Sequence, residues 1–215
     1  MMNISNVDLI LGIPLLFFAV VVHECCHGWV AYLNGDDTAK MSGRLTLNPI
    51  PHIDMMGTII LPLILIFTHS PVLIGWAKPV PINPYRLNNP VKDMAKVGLA
   101  GPGSNFAMAV LSALIIWLFK ITGLDPYTEI NSLIIKLLYI NVQLNLVLGV
   151  FNLIPIPPLD GSRIVSAFLP TEIAFKYNQL ERYGIFIIFF LLSFGFLNFL
   201  WVIVDILQKL LFMGV

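Results

Sequence analysis

The chain has 215 residues, of which 58% are hydrophobic and 11% charged, and its 12 basic and 12 acidic side chains leave no net charge. A soluble domain carries about 25% charged residues, so an ordinary soluble globular fold is excluded. Neutrality with scattered Lys and Arg likewise gives no nucleic-acid footprint.

The apolar residues fall in runs near bilayer length, where helices satisfy their own backbone groups. This predicts an all-α polytopic membrane protein organised as a single domain over residues 1–215, in contact with a lipid bilayer. The first run, 8–33, lacks a preceding basic region and a prompt small-residue cleavage signal, so it reads as a retained transmembrane helix rather than a signal peptide.

Its second half carries His23-Glu24-Cys25-Cys26-His27. At 3.6 residues per turn the two histidines share a helix face one turn apart, where both imidazoles reach a single metal ion. Glu24 has no Lys or Arg in its helix, and an unpartnered carboxylate is expensive in a bilayer. It reads as a general base that takes a proton from water at the ion and returns one to a leaving amine. Two adjacent cysteines make no disulfide framework and read as packing.

Asn34-Gly35-Asp36-Asp37 is a helix stop. Short alternation and turn residues over 38–54 predict a small membrane-associated β-hairpin, whose edge at 44–48 would accept an unwound substrate as an added strand. His52 and Asp54 read as local turn residues and His69 as interfacial. Residues 57–76 are apolar but broken by Pro62, Pro71 and Gly75. A re-entrant segment is expected there, because it puts nine of the twelve basic residues (Lys40, Arg44, Lys78, Arg86, Lys92, Lys96, Arg163, Lys176 and Arg182) on one side, the cytoplasmic one. Full spans follow at 97–119, 133–153 and 184–204, the last continuing as a bent segment. The count is four crossings in a multi-pass cell-membrane protein, with the histidines toward the cytoplasmic side.

Catalytic zinc generally takes three protein ligands and an open position. Asp160 is the third candidate: Pro155, Pro157 and Pro158 forbid an ordinary helix before it, and Gly161 permits a tight path back toward the first helix. Asn105, in Gly101-Pro102-Gly103-Ser104-Asn105, supplies donors facing the site or caps a helix. Asn152, before the proline turn, binds substrate backbone or stabilises an oxyanion, or else caps its helix. Asn141 and Asn145, one turn apart, are explained by helix-to-helix bonding.

At these residues the chain resembles the site-2 protease family of intramembrane zinc metalloproteases, in its compact prokaryotic branch. His23 to Gly28 is similar to the family's first motif, and Asn152 to Gly161 to its asparagine-proline-aspartate-glycine motif. Gly101 to Asn105 is similar to the element between them. The resemblance implies hydrolysis of peptide bonds in or near transmembrane segments of a membrane protein or peptide. It assigns His23, His27 and Asp160 to zinc and Glu24 to activating water. A catalytically inactive scaffold, binding client helices with structural zinc, is the alternative; a metal transporter fits less well, because one tight site offers no entry and exit positions. The client and the oligomeric state have no signature in the sequence.

Overall fold

The computed structural model describes residues 6–68, 75–123, 125, 126 and 128–213, with side chains from residue 11 onward. Among them the protein is helical, and three helices are long and apolar enough to cross a membrane, at Leu11–Leu33, Pro90–Ile121 and Glu129–Asn152. These belong to α1 (Asn6–Leu33), α4 (Pro90–Ile121) and α5 (Glu129–Asn152). All three pack on one another, with α4 against both neighbours.

Local chemistry sets their ends. Helix α1 stops where Gly35 adopts φ 102° and Asp36 N donates to Ala31 O, a wrapped helix end that a side chain at 35 would strain. Helix α4 starts at Asn89, whose side chain accepts from Lys92 N, with Pro90 next and Asp93 Oδ2 accepting from Asn89 N in return. The centre of the bundle is Ala109, Ala113, Val142, Leu146 and Val150, to which Val204 adds. Large apolar side chains such as Phe18, Trp29, Leu111 and Trp117 face outward, as lipid-facing helices require.

Between α1 and α4 the chain makes an excursion through α2 (Thr38–Met41), a 3-10 turn (Ile50–His52), a π-helical turn (Met55–Ile60) and α3 (Leu61–Phe67). It returns as an extended strap over 75–83, followed by a 3-10 turn at Pro84–Arg86. The expected β-hairpin is not formed. Over 44–52 the polar groups bond locally: Thr46 Oγ1 accepts from Asn48 N, Asn48 Oδ1 from Ile50 N, and Thr46 O from His52 Nε2. Such local acceptors compete with strand pairing, and Pro49 and Pro51 have no N–H to offer a ladder. The re-entrant expectation for 57–76 is likewise not supported. The segment Met55–Phe67 is a short apolar helical stretch, and His69 with the rest of 69–74 lies outside the described residues.

The span expected at 184–204 is not one continuous helix. Helix α8 (Glu181–Ser193) ends at Gly195, φ 72°, where Phe196 N reaches Leu191 O, and α9 (Phe199–Phe212) starts afresh. At 13 and 14 residues these helices are about 20 Å long, short of the about 30 Å bilayer core. Before them, α6 (Asp160–Ser166) and α7 (Thr171–Asn178) follow the proline turn, with α6 packed against α4.

Candidate metal centre

The structure brings His23, His27 and Asp160 together from α1 and α6, all buried. Asp160 Oδ2 lies 3.0 Å from His23 Nε2 and 3.2 Å from His27 Nε2, and the two Nε2 atoms are 3.0 Å apart. Tetrahedral ligation at about 2.1 Å places donors about 3.4 Å apart, so a small outward movement seats an ion.

Two glycines and a proline turn make the approach possible. A Cβ on Gly101 would stand 2.5 Å from His23 Cε1 and Nε2 and from His27 Nε2, so α4 passes the imidazoles only because residue 101 has no side chain. A Cβ on Gly161 would collide with Leu153 O and Ile154 O, which explains how α6 turns back so sharply after α5.

The hydrogen bonds of the imidazoles decide what this cluster can hold. His27 Nδ1 is 2.6 Å from the Val97 carbonyl, which can only accept, so Nδ1 carries the proton and Nε2 keeps a lone pair. His23 Nδ1 is 2.6 Å from Asn105 Oδ1, with the same consequence. With neutral rings, two imidazole lone pairs and a carboxylate oxygen thus converge within about 3 Å, a contact that a shared proton or a metal cation between them satisfies. Two neutral imidazoles and one carboxylate are the donor set of catalytic zinc, so the residues present fit that metal. Arg163 Nη1 stands 3.4 Å from the other Asp160 oxygen and balances its charge.

Glu24, half-buried on the next position of α1, accepts from Val80 N at 2.9 Å. The strap that provides this N–H is itself fixed. Asp36 Oδ2 accepts from Asn83 N, and Arg44 Nη2 donates to Lys78 O at 2.6 Å. Lys78 N donates to the carbonyl of His52, which is wholly buried and so anchors the strap, while Asp54 caps the π-helical turn.

Asn105 touches the site through His23 and gives its amide N–H to Asn145 Oδ1. The sequence reading aimed these donors into the site instead. Asn152 is not drawn into the cluster: its amide donates to Leu148 O of its own helix. The sequence reading passed over Val97 O and Val80 N, and gave Asn145 helix-to-helix bonding without naming Asn105 as its partner. The first two are backbone groups with no signature in a sequence, whereas Asn145 is a polar side chain in an apolar helix and did carry a signal.

A family model described as Peptidase family M50 matches residues 120–195, which include Asn152 and Asp160. The chain is 41% identical over 177 residues to YwhC of Bacillus subtilis, named as a zinc metalloprotease, covering 82% of this chain and 77% of that one. It is 29% identical over 167 residues to the zinc metalloprotease MJ0392 of Methanocaldococcus jannaschii, covering 78% of this chain and 35% of that one. A similar match, 29% over 180 residues, joins it to Rip2 of Mycolicibacterium smegmatis, covering 84% of this chain and 65% of that one. No solved structure matches it significantly.

Proposed function

The chain belongs to peptidase family M50, the site-2 protease family, and is a zinc metalloprotease; from this we propose that it is an endopeptidase cutting peptide bonds within or near transmembrane segments. His23, His27 and Asp160 hold the zinc and Glu24 is the general base. The observation that carries this reading is the convergence of three buried donors, two from a membrane-capable helix and one from α6. His27 lies six residues, about 9 Å, and His23 ten residues, about 15 Å, from the end of α1 at Leu33.

When bound, zinc supplies Lewis acidity toward a peptide carbonyl and toward water. Glu24 moves the protons: its carboxylate takes one from the attacking water and delivers it to the departing amine. The Val80 N–H holds that carboxylate in one orientation, so it meets water with a free oxygen rather than rotating away. Asn105 orients the His23 ring. Asn152, the last residue of α5 before the proline turn, is the side chain we assign to the substrate backbone. A helical substrate must unwind before one of its carbonyls reaches such a buried point, so the client is a membrane segment of low helical stability.

The basic residues support a cell-membrane placement with this end of the bundle toward the cytoplasm. Lys40, Arg44, Lys78, Arg86, Lys92 and Lys96 between α1 and the first turns of α4, and Arg163, Lys176 and Arg182 after α5, gather at one end. The proposal is tested with native protein and Glu24→Gln purified in lipid, by zinc quantification and by cleavage mapping on a panel of membrane peptides. Native protein should cut, and E24Q should keep its zinc and lose about 10²–10⁴-fold in rate. Zinc-loaded native protein that binds the peptides and cuts none of them would instead establish a scaffold.

A further inference from the structure

One buried polar chain leaves the metal centre and is not used by the proton chemistry. From His23 Nδ1 it passes to Asn105 Oδ1 at 2.6 Å, from Asn105 Nδ2 to Asn145 Oδ1 at 2.9 Å, and from Asn145 Nδ2 to the backbone carbonyl of Asn141 at 2.9 Å. Asn105 and Asn145 are wholly buried. Each amide could in principle be turned over, exchanging its oxygen for its nitrogen. The end of the chain forbids it. A backbone carbonyl only accepts, so Asn145 must aim Nδ2 at Asn141 O and therefore Oδ1 at Asn105. Asn105 must then offer Nδ2 to Asn145 and Oδ1 to His23. An oxygen facing His23 Nδ1 requires the proton on Nδ1, which leaves Nε2 with its lone pair toward Asp160 and the metal position.

We infer that Asn145 is a positioning residue for zinc: by fixing the orientation of Asn105 it holds His23 in the Nδ1–H tautomer, the one form of the neutral ring whose Nε2 can ligate. The inference rests on the zinc assignment made above. His27 needs no such relay, because its Nδ1 faces the Val97 carbonyl directly. The two ligands are thus fixed by different means, one by backbone and one by two buried amides in series. Without Asn145, Asn105 is free to turn over. Its N–H then faces His23 Nδ1, the ring proton moves to Nε2, and a hydrogen stands where the ligating lone pair is needed.

A purely structural role, tying α4 to α5, makes a different prediction. Asn141 Nδ2 donates to Ser112 Oγ at 2.8 Å, a second bond between the same two helices, and Asn141 Oδ1 also accepts from Asn145 Nδ2 at 3.0 Å; removing the Ser112 hydroxyl leaves the Asn141 backbone carbonyl, which by itself fixes which way Asn145 faces. Ser112→Ala is therefore the packing control. Asn145→Asp is the rescue: buried and protonated, it donates O–H to Asn141 O and still accepts from Asn105.

The experiment measures zinc affinity by chelator competition on full-length protein in lipid, and reads the His23 tautomer from ¹⁵N shifts of the histidine-labelled, zinc-stripped protein. N145L should bind zinc about 10-fold more weakly, in the range for groups that orient a metal ligand, and show His23 protonated on Nε2. S112A and N145D should stay within about twofold of native affinity. An unchanged affinity in N145L, with zinc lost in His23→Ala, overturns the inference and leaves the metal assignment standing. Native zinc binding in H23A overturns both. Should N145L not fold, the native protein still decides: His23 found as the Nε2–H tautomer after zinc removal refutes the inference.

Discussion

The metal-binding end of the α1–α4–α5 bundle and the strap that runs past it are built by opposite means. At the bundle end the ligands are placed by absence and by burial: Gly101 has no side chain where the imidazoles sit, and Asn105 and Asn145 have no exposed surface at all. The strap carries Pro79 and Pro81, so it pairs with no strand and is held by separate fasteners reaching to its backbone. Asp36 holds Asn83 N, Arg44 holds Lys78 O, and Glu24 holds Val80 N. Of these three fasteners, Glu24 is the one next to the metal ligands in α1. Metal affinity and proton transfer should therefore be separable by mutation: damage to the bundle end removes the metal, and damage to the strap leaves it.

Removing a ligand is the largest break on the bundle side. Asp160→Ala leaves two imidazoles, and the purified protein should contain no stoichiometric zinc and show no measurable cleavage, as checked by elemental analysis and peptide mapping. Gly101→Ala comes next and is more informative, because it changes no ligand. The added Cβ would meet both imidazoles at 2.5 Å, and neither helix can shift without opening the α1–α4 contact. Overpacking of this kind costs about 1–3 kcal/mol, so zinc affinity should fall by about 10- to 100-fold with activity following it. Native affinity in this variant would mean that the imidazoles have another resting place.

On the strap side, Asp36→Ala should do the reverse. Asp36 is wholly buried and accepts from Thr38 N, Thr38 Oγ1 and Asn83 N. Losing it strands three partly buried donors, at about 1–3 kcal/mol in all, and releases the strap from the end of α1. Zinc content should stay native, cleavage should fall by about 10-fold as Glu24 loses its fixed N–H partner, and hydrogen exchange at Val80 should quicken. Zinc loss in D36A would show that the two regions are one.

The same contrast explains what the sequence disclosed. The histidine pair was legible because helical period alone puts His23 and His27 on one face, and Asp160 because three prolines and a glycine between 155 and 161 forced a return path. The partner of Asn105 was not legible, since a polar residue in an apolar helix shows that it needs a partner and not which one. The strap was opaque for a different reason: an extended proline-rich segment has no period, and its fasteners lie as far as 56 residues away, as between Glu24 and Val80. The alternation over 44–48 was read as a hairpin because it cannot distinguish a strand from a chain whose polar side chains bond their own backbone. The break at Gly195 was visible as a residue, but its apolar neighbours on both sides outweighed it.

The smallest expected effect comes from the neighbour of Asp36. Asp37 pairs with Arg86 at the base of the strap, and both side chains are about half exposed, 46% and 48%. Water solvates both charges when the pair is broken, and exposed pairs of this kind contribute about 0–1 kcal/mol. Arg86→Ala should therefore leave zinc content and cleavage rate within about twofold of native, with a melting temperature lower by a few degrees at most. Adjacent acids at 36 and 37 would then differ by an order of magnitude in their effect on cleavage, although both tie the same two segments together. The difference arises because the Asp36 carboxylate is wholly buried and holds three donors, whereas Asp37 meets a cation that water can reach. If R86A instead matched D36A, the strap would be held by the charge of its rim rather than by its buried backbone contacts, and Glu24 would depend on ionic strength.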